Sequence, residues 1–450
     1  MTRAGLVRIG LVGCGSFARF ALGAVAESPL VSLVAVSDPR EECRLEAVRV
    51  WHQAGRVSPE GTAPGHGIAL PPEPAARVQQ AALSPERGAG TARMATVPAG
   101  PAVRAYEDGA EVCRDPDVDL VWILAPPYLH YPLARTALEQ GKAVFLEKPG
   151  ALRPAEMEDL AALAERVGVP AAVDFVLRRT PLAALVARVV HSGVLGPVER
   201  AVLENVAHDE QLPEGHWFWN PALSGGIFVE HGVHFFDMGN WWFGMGEVRN
   251  ALALRRTRWK DAPVDRVLCT CLHGSSPSPV LATYYHSFTT VQRFERAHWH
   301  LVLHRGFLQV EGWIPMALRG EVLVTDAEAR WLEECLGCAL QPIDPPQPDR
   351  DPVWAGEGVP ATGEGPVPGE GAGEPAPDAV LRYRARLAVE YPDRAAIYRS
   401  AIRASLEDLA ACLLEPGRRP AVSLQDAHRA LELASRATEL AVSGRQQDTR

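Results

Sequence analysis

The sequence lacks any dense run of lysine and arginine, and its charge balance is acidic. It has 45 basic against 55 acidic residues, which gives a net charge of -10 over 450 residues. A surface that binds the phosphates of a nucleic acid needs clustered basic side chains. We therefore expect no nucleic acid partner.

Long apolar runs are also missing. No run approaches the length that a membrane span requires. The first apolar segment, residues 7–12, has the pattern of a strand and leaves no room before it for a secretory signal. We expect a cytoplasmic protein with no membrane partner.

The cysteines show no framework of paired spacings, and free thiols are expected in a large cytoplasmic chain. The sequence has eight of them. Cys269 with Cys271, and Cys335 with Cys338, could in principle supply four thiolates to zinc. The first pair lies in a predicted strand, where small thiols also pack well. We favour packing and expect no metal site.

The length of the chain favours two domains, because a single core rarely grows so large. We place the boundary near residue 150, which gives domains of residues 1–150 and 151–450. Two stretches, residues 53–101 and 341–378, are rich in proline and glycine and show no periodicity. We interpret the first as a long inserted loop and the second as a loosely packed excursion.

A glycine-rich turn follows the first predicted strand and opens a helix that we expect to run to about residue 27. In the pattern Gly13-x-Gly15-x-x-Ala18, Gly13 permits the tight turn and Gly15 lets the backbone approach a pyrophosphate. Ala18 brings the helix against the strand, and Ser16 and Phe17 lie in the first turn of the helix, whose amino terminus faces the phosphates. The pattern predicts a dinucleotide site.

The second predicted strand, residues 31–36, leads to Asp38. A carboxylate at this place accepts hydrogen bonds from the adenosine ribose and repels a 2'-phosphate, which favours NAD. Arg40 is close enough to leave NADP open. A turn-forming role for Asp38 before Pro39 is the simpler alternative.

Strands and helices then alternate, which predicts parallel strands with right-handed crossovers. The predicted helices cover residues 106–114, 131–140 and 154–167, and the predicted strands cover 119–124, 143–146 and 171–177. The strand at 143–146 ends in Glu147-Lys148-Pro149, so Lys148 is placed at its carboxyl end, where open parallel sheets bind their ligands. Strands are also predicted by β-branched and aromatic content at 264–272, 280–288, 297–303 and 306–311, and closing helices at 395–414 and 423–441.

The order and spacing of several motifs resemble the glucose-fructose oxidoreductase and inositol dehydrogenase family, known as Gfo/Idh/MocA. Beside the glycine turn and Glu147-Lys148-Pro149, these motifs are Ala125-Pro126-x-x-x-His130, Arg178-x-x-Pro181, Trp217-x-x-Asn220-Pro221 and Gly225-Gly226-x-x-x-Glu230-x-Gly232-x-His234. The resemblance implies an α/β Rossmann domain with a doubly wound parallel sheet, followed by an α+β domain with a large mixed, mostly antiparallel sheet. It also implies that the open face of that sheet forms a homodimer or homotetramer. His298 and His300 fall on one face of a predicted strand and are interpreted as sheet-face or interface residues.

Oxidation of a secondary alcohol needs hydride removal from carbon while a base takes the hydroxyl proton. His234 titrates near neutrality and suits the proton transfer. Lys148 can stabilise negative charge that develops on the reacting oxygen. Glu230, one helical turn before His234, could orient the imidazole or bind a substrate hydroxyl. The family usually has aspartate there, so the role of this carboxylate is open.

The predicted site then has three sets of residues. The catalytic set is Lys148, His234 and Glu230. The coenzyme-binding set is Gly13, Gly15, Ser16, Phe17, Ala18, Asp38, Arg40, Ala125, Pro126, His130 and Glu147. The substrate-binding set is Arg178, Trp217 and Asn220, of which Arg178 and Asn220 are carried from the family positions.

Glu230, His231 and His234 also invite a zinc interpretation, but their order matches no known zinc motif. His231 is more simply a packed histidine. We predict an NAD(P)-dependent oxidoreductase that transfers a hydride between nicotinamide and a carbinol of a sugar, sugar derivative or inositol. The alternatives are a non-catalytic sensor of NAD or sugar with the same fold, and a redox-neutral lyase or glycosidase that uses NAD.

Overall fold

The computed structural model describes residues 5–55, 102–208, 212–213, 215–255, 263–275, 278–343 and 383–443. Most of the two stretches that we interpret as a loop and an excursion therefore lies outside the described residues. Of the few positions inside, residues 53–54 end a helix and Gln341–Pro342 forms a short strand. Within the described ranges, no helix is both long enough and apolar enough to cross a bilayer.

The first half of the chain forms a parallel sheet of six strands in the order β3-β2-β1-β4-β5-β6, which is the order of a Rossmann fold. The strands are β1 Val7–Val12, β2 Val31–Ser37, β3 Arg104–Tyr106, β4 Leu120–Ile123, β5 Ala143–Leu146 and β6 Ala171–Val173. The connecting helices are α1 Ser16–Val25, α2 Glu41–Ala54, α3 Gly109–Arg114, α4 His130–Glu139 and α5 Pro154–Val167.

Strands β4 and β5 are buried at every position. Continuous apolar strands of this kind are expected where helices cover both faces of a parallel sheet. Their carboxyl ends meet at one edge, beside the turn between β1 and α1. The buried sheet therefore delivers Glu147 and Lys148 to the edge at which the glycine turn lies.

The second sheet has nine strands in the order β14-β15-β13-β12-β11-β7-β10-β9-β8. Only β7 and β10 pair in parallel among its described strands, so the sheet is mixed and mostly antiparallel. The strands are β7 Val198–His208, β8 Gly246–Arg255, β9 Val264–His273, β10 Val280–Thr290, β11 Arg296–Leu303, β12 Gly306–Glu311, β13 Ala317–Val324, β14 Gln341–Pro342 and β15 Tyr383–Glu390. The helices of this half are α6 Pro181–Ser192, α7 Pro221–Ser224, α8 Val233–Phe243, α9 Asp326–Leu336, α10 Arg394–Leu414 and α11 Leu424–Ser443. Together the two sheets confirm the predicted fold class.

The two closing helices join the halves. Helix α10 contacts α1, β1 and β5 of the first half, and α11 contacts α5 of the first half as well as α8 and β8 of the second. Beyond residue 150 the chain also adds α5 and β6 to the first sheet. The domain boundary near residue 150 stays a prediction.

Two predicted elements differ from the structure. The strand expected at 171–177 ends at Val173, and a 3-10 helix follows at Val176–Arg179. The helix expected at 106–114 begins at Gly109, because Arg104–Tyr106 pairs with β2 and Asp108 accepts a hydrogen bond from the backbone amide of Ala110. The pairing of β6 with β5 ends at Val173, and the pairing of β3 with β2 removes Tyr106 from the predicted helix.

Candidate active site

Lys148 lies just beyond the carboxyl end of β5, as the sequence predicted. Its Nζ donates hydrogen bonds to Oε1 of Glu230 and to the backbone oxygen of Glu230, each at 2.9 Å. The Lys148 and Glu230 side chains are only 14% and 11% exposed. Glu230 lies in a short π-helical segment, Phe228–Gly232, which leads directly into α8. This ion pair therefore connects the edge of the first sheet to the helix that carries His234.

His234 is buried in the first turn of α8. Its ring makes edge contacts with Phe175, at a centroid distance of 6.0 Å, and with Trp313, at 5.7 Å. Its Nδ1 has no hydrogen-bond partner among the described residues. Burial, then the charge of Lys148, lowers the pKa of His234 well below its usual value. The imidazole is therefore neutral, which is the form that a general base needs, but its titration lies below the near-neutral range expected from the sequence.

The Glu230 carboxylate binds Lys148 and so holds the ammonium group in place. The predicted orientation of His234 by Glu230 stays a prediction. Burial lowers the pKa of His216, and the negative charge of Glu230 opposes this effect. Sequence reasoning missed His216 and Trp313, and no local pattern marks either of them.

The glycine turn has the two properties that a dinucleotide site requires. Gly13 has a φ of +90°, and a Cβ at this position would lie 2.7 Å from the backbone oxygen of Leu124. At Gly15, just before α1, a Cβ would meet no atom of the described residues within 4 Å. The first turn of α1 therefore borders open space, and its backbone amides fit a pyrophosphate.

Asp38 supports this turn from the end of β2. It is buried, and its Oδ2 accepts a hydrogen bond of 3.0 Å from the backbone amide of Cys14. Its Oδ1 accepts from the backbone amide and from Nε of Arg40, at 3.0 and 3.3 Å. Ionised carboxylates have about four acceptor positions, so contact with a ribose is still compatible with these bonds. Because Arg40 lies beside the carboxylate, the preference for NAD over NADP stays a prediction.

His130 connects two loops at this edge of the sheet. The ring lies between two backbone oxygens, with Nδ1 2.7 Å from that of Pro149 and Nε2 2.6 Å from that of Ala125. Burial lowers the pKa of His130, while the two carbonyls oppose that effect. His130 thus connects the turn at Ala125 and Pro126 to the Lys148 segment, which sets the spacing of the two loops.

Glu147 precedes Lys148 and is partly buried. Burial, followed by the nearby charge of Asp174, raises its pKa well above the usual range. Asp174 itself is 2% exposed and lies just after β6. Sequence analysis missed Asp174, because the predicted strand at 171–177 placed this residue inside the strand, whereas the strand ends at Val173.

The three predicted substrate residues have different environments. Trp217 is half-buried, with a centroid distance of 5.2 Å to His216. Asn220 is exposed, and its Oδ1 accepts a hydrogen bond from Ala222 and begins α7. Helix α7 contacts the 3-10 helix Pro127–Leu129, which directly follows the predicted coenzyme-binding residues Ala125 and Pro126.

Arg178 makes a bidentate ion pair with the buried Asp237. Its Nε lies 2.7 Å from Oδ2 and its Nη2 lies 2.6 Å from Oδ1. The guanidinium also lies 5.7 Å from the ring of Trp241. These contacts occupy the fork of the guanidinium, so the structure gives Arg178 a structural position, and its predicted role in substrate binding is untested.

We predict that Arg178→Gln destabilises the fold. Removing one partner of a buried ion pair costs about 3 to 5 kcal/mol. Burial raises the pKa of Asp237 to about 6 even with the arginine present. The pKa of Asp237 is higher in the folded than in the unfolded protein, so protonation of Asp237 stabilises the folded state at low pH. This contribution is lost as pH rises through about 6. The loss in the variant should therefore be larger at pH 8 than at pH 5.

Urea unfolding at the two pH values measures this effect. Arg135→Gln is the matched control, because Arg135 pairs with Asp159 on the surface. Exposed pairs contribute about 0 to 1 kcal/mol. An Arg178→Gln protein as stable as the control would contradict a structural role.

His231 is packed beside the site. Its Nε2 lies 2.7 Å from Nδ2 of Asn205, and its ring contacts His286 and Phe288. Burial lowers its pKa to about 3. Among the residues that the structure describes, no group of three histidine, cysteine or acidic side chains is arranged to hold a metal.

These features define a class of protein, in which a dinucleotide-binding Rossmann fold is joined to a domain built on a large mixed sheet. Two family models match the chain. The model described as an oxidoreductase family with an NAD-binding Rossmann fold matches residues 79–175, and the Gfo/Idh/MocA C-terminal domain matches residues 184–308. The chain belongs to the Gfo/Idh/MocA family, and its first half has an NAD-binding Rossmann fold.

Individual relatives agree with the family. An uncharacterized oxidoreductase of Synechocystis sp. is 33% identical over 141 residues, which cover 31% of this chain and 38% of the relative. The scyllo-inositol 2-dehydrogenase (NAD(+)) of Bacillus subtilis is 30% identical over 138 residues, which cover 31% of this chain and 39% of the relative. The chain thus matches less than half the length of these two relatives.

Solved structures show the same fold. Levoglucosan dehydrogenase, in complex with NADH and levoglucosan, superposes with a TM-score of 0.64 over 97% of both chains. Its sequence identity is 15%. At this identity the similarity shows the fold alone.

Proposed function

We propose that this protein is an NAD(P)-dependent oxidoreductase that transfers a hydride between nicotinamide and a carbinol of a sugar, sugar derivative or inositol. The observation that carries the proposal is the partly buried Lys148 ammonium, bound to Glu230 beside the neutral ring of His234. This group lies at the carboxyl edge of a Rossmann sheet, which is where such sheets bind their ligands.

The coenzyme has a well-formed place at the glycine turn. The amides at Gly15, Ser16 and Phe17 would hold the pyrophosphate, and Asp38 and Arg40 would contact the adenosine ribose. Ala125 and Pro126, which His130 braces, would line the opposite side. When bound, NAD supplies the hydride acceptor. We propose NAD as the preferred coenzyme, because a buried carboxylate at position 38 disfavours a 2'-phosphate.

The protein side chains manage the proton and the charge. Lys148 would hydrogen-bond to the reacting oxygen and stabilise negative charge on it. His234, kept neutral by burial, would accept the hydroxyl proton. Glu230 holds the Lys148 ammonium through two hydrogen bonds, so that the cation is oriented before the substrate arrives.

The surroundings of the site favour a neutral polyol. Asp237 already occupies the guanidinium of Arg178, so an anionic substrate lacks that partner. Trp217 offers an aromatic face, and such faces stack on the apolar faces of sugars and cyclitols. Asn220 lies on the same segment and is exposed.

Nicotinamide absorbance on mixing the protein with NAD or NADP and a panel of inositols, aldoses, sugar acids and nucleotide sugars tests the proposal. We expect reduction of NAD by one chemical group in the panel, at a rate that depends on His234. Binding of NAD without reduction by any member would instead favour a sensor or a redox-neutral enzyme.

We also propose that two copies associate through the outer face of the nine-stranded sheet. This face carries apolar side chains on neighbouring strands, some of them strongly exposed, such as Leu252 at 56% and Leu281 at 44%. Val202 lies near the middle of the face, in register with Thr283 on one side and His300 on the other. Large exposed apolar patches typically mark interfaces.

Val202→Glu should dissociate the oligomer, because it places an added charge inside the proposed interface. Sedimentation velocity would show a shift to the mass of a single chain. Val167→Glu is the control, since it adds the same charge at an exposed valine at the end of α5. Equal masses for the two variants would contradict this interface.

A further inference from the structure

Two acidic side chains that the proposed chemistry does not use lie next to each other at the edge of the first sheet. Strands β5 and β6 are in register at their ends, with Leu146 opposite Val173. The backbone amide of Asp174 continues the pairing, with a hydrogen bond of 2.7 Å to the oxygen of Leu146. Glu147 and Asp174 are the next residues on the two strands. Residues in register share a face of the sheet, so their carboxyl groups are neighbours.

Helix α10 covers this face and contributes most of the other groups around the acids. Ser405 hydrogen-bonds to the Asp174 carboxylate. The charges of both acids raise the pKa of Tyr398, together with burial. Oδ1 of Asp174 is buried and has no hydrogen-bond partner among the described residues.

The nearby positive charges do not neutralise both acids. Arg179 attracts Asp174, but its Nη2 is bound to Asp408 at 2.6 Å. Lys148 attracts Glu147, but its Nζ is bound to Glu230, which adds a further negative charge near Glu147. Two adjacent carboxylates in a site of low polarity cannot both stay ionised at low cost. Burial raises the pKa of Asp174 to about 7, which agrees with one proton held by the pair.

We propose that Glu147 and Asp174 share one proton in the coenzyme-free protein, and that oxidised nicotinamide coenzyme displaces this proton on binding whereas the reduced form does not. The reason is charge. Glu147 is the partly exposed member of the pair and adjoins Lys148, whereas Asp174 is buried behind it. The oxidised nicotinamide ring is positive, so it favours the ionised pair, and the reduced ring is neutral.

The inference rests on the proposed function, because it requires the nicotinamide at this edge. It gives Asp174 the role of a positioning residue, which acts through Glu147. It also predicts that affinity for NAD⁺ rises with pH below the titration of the pair, by up to about tenfold per pH unit for one proton. Affinity for NADH should change much less over the same range.

Titration calorimetry in buffers of different ionisation enthalpy measures the protons released on binding. We expect release approaching one proton for NAD⁺, and near zero for NADH, slightly below neutral pH. Asp174→Asn should reduce the difference in proton release and move the pH dependence of NAD⁺ affinity to lower pH, because burial then raises the pKa of Glu147 without the added charge of Asp174. Asp159→Asn, which removes an acid from the surface, is the matched control and should behave as the unmodified protein.

Two further measurements keep the test independent of turnover and of the folding of one variant. The coenzyme-free protein should show the infrared band of a protonated carboxyl group at neutral pH, and Asp174→Asn should weaken it. Ser405→Ala, which removes a hydrogen bond that favours ionised Asp174, should shift the pH dependence of NAD⁺ binding upward. Equal proton release for NAD⁺ and NADH would overturn the inference alone. Failure of both coenzymes to bind would overturn the proposed function as well.

Discussion

Lys148→Met is expected to lower kcat/KM for oxidation of the alcohol substrate by about a thousandfold, within the range that positioned acid-base groups contribute. The variant removes the only positive charge that the structure places on Glu230 among the described residues. It also removes a charge that adds to the effect of burial in lowering the pKa of His234. The reacting oxygen would then lose its stabilising partner while the coenzyme site stays intact, so binding of NAD should change little.

Lys142→Met is a useful contrast, because Lys142 is a buried lysine with a different environment. Its Nζ donates hydrogen bonds to the backbone oxygens of Asp115 and Val118. Loss of these bonds should reduce stability by about 1 to 3 kcal/mol, while turnover per folded molecule is retained.

Steady-state kinetics and thermal unfolding of both variants separate the two roles. The double variant Lys148→Met with Glu230→Gln controls for misfolding of the single variant, because it also removes the carboxylate that would otherwise lose its partner. Full turnover in Lys148→Met would show that the catalytic assignment is wrong.

Gly13→Ala should reduce the stability of the fold, whereas Gly15→Ala should reduce the affinity for NAD. At Gly13, a Cβ would lie 2.7 Å and 2.8 Å from backbone atoms of Leu124 and Ala125, and φ is +90°. Backbone cannot move aside as a flexible side chain can. Steric overlap and backbone strain together should reduce the free energy of unfolding by about 2 to 5 kcal/mol.

Gly15→Ala should instead fold normally. Gly15 has a φ of -63°, which any residue adopts, and its Cβ would meet no described atom within 4 Å. The added methyl group would occupy the space that the pyrophosphate approaches, so affinity for NAD should fall about tenfold or more, which corresponds to about 1.4 kcal/mol.

Urea unfolding and coenzyme fluorescence titrations test this pair. A Gly15→Ala protein that binds NAD with unchanged affinity would mean that the pyrophosphate does not lie at this turn. A Gly13→Ala protein of full stability would contradict the close approach of the two loops.

The predictions made from sequence succeeded where the signal was local. A buried strand followed by Gly13-x-Gly15 places a turn and a helix together, because the residues that form them are consecutive. The same holds for Lys148, since an apolar strand must deliver the next residue to the edge of its sheet. β-Branched and aromatic content also marked several strands of the second sheet, such as Val264–His273.

Partners across the chain were beyond the reach of sequence patterns. Lys148 and Glu230 are 82 residues apart, and Arg178 and Asp237 are 59 apart. A charged side chain carries no information about which distant group will meet it. The resemblance to the family suggested Arg178 as a substrate ligand, and only the structure shows that Arg178 pairs with Asp237.

The sequence by itself thus predicted the Rossmann turn and the strand that carries Lys148, and it suggested the class of chemistry that we propose. The tertiary structure alone decided which groups are paired, which are buried and which pKa values shift. Asp174 shows the difference most clearly, because only the register of β5 and β6 and the cover of α10 place it beside Glu147. Burial and neighbouring charge change the ionisation of a side chain, and both depend on residues far away in sequence.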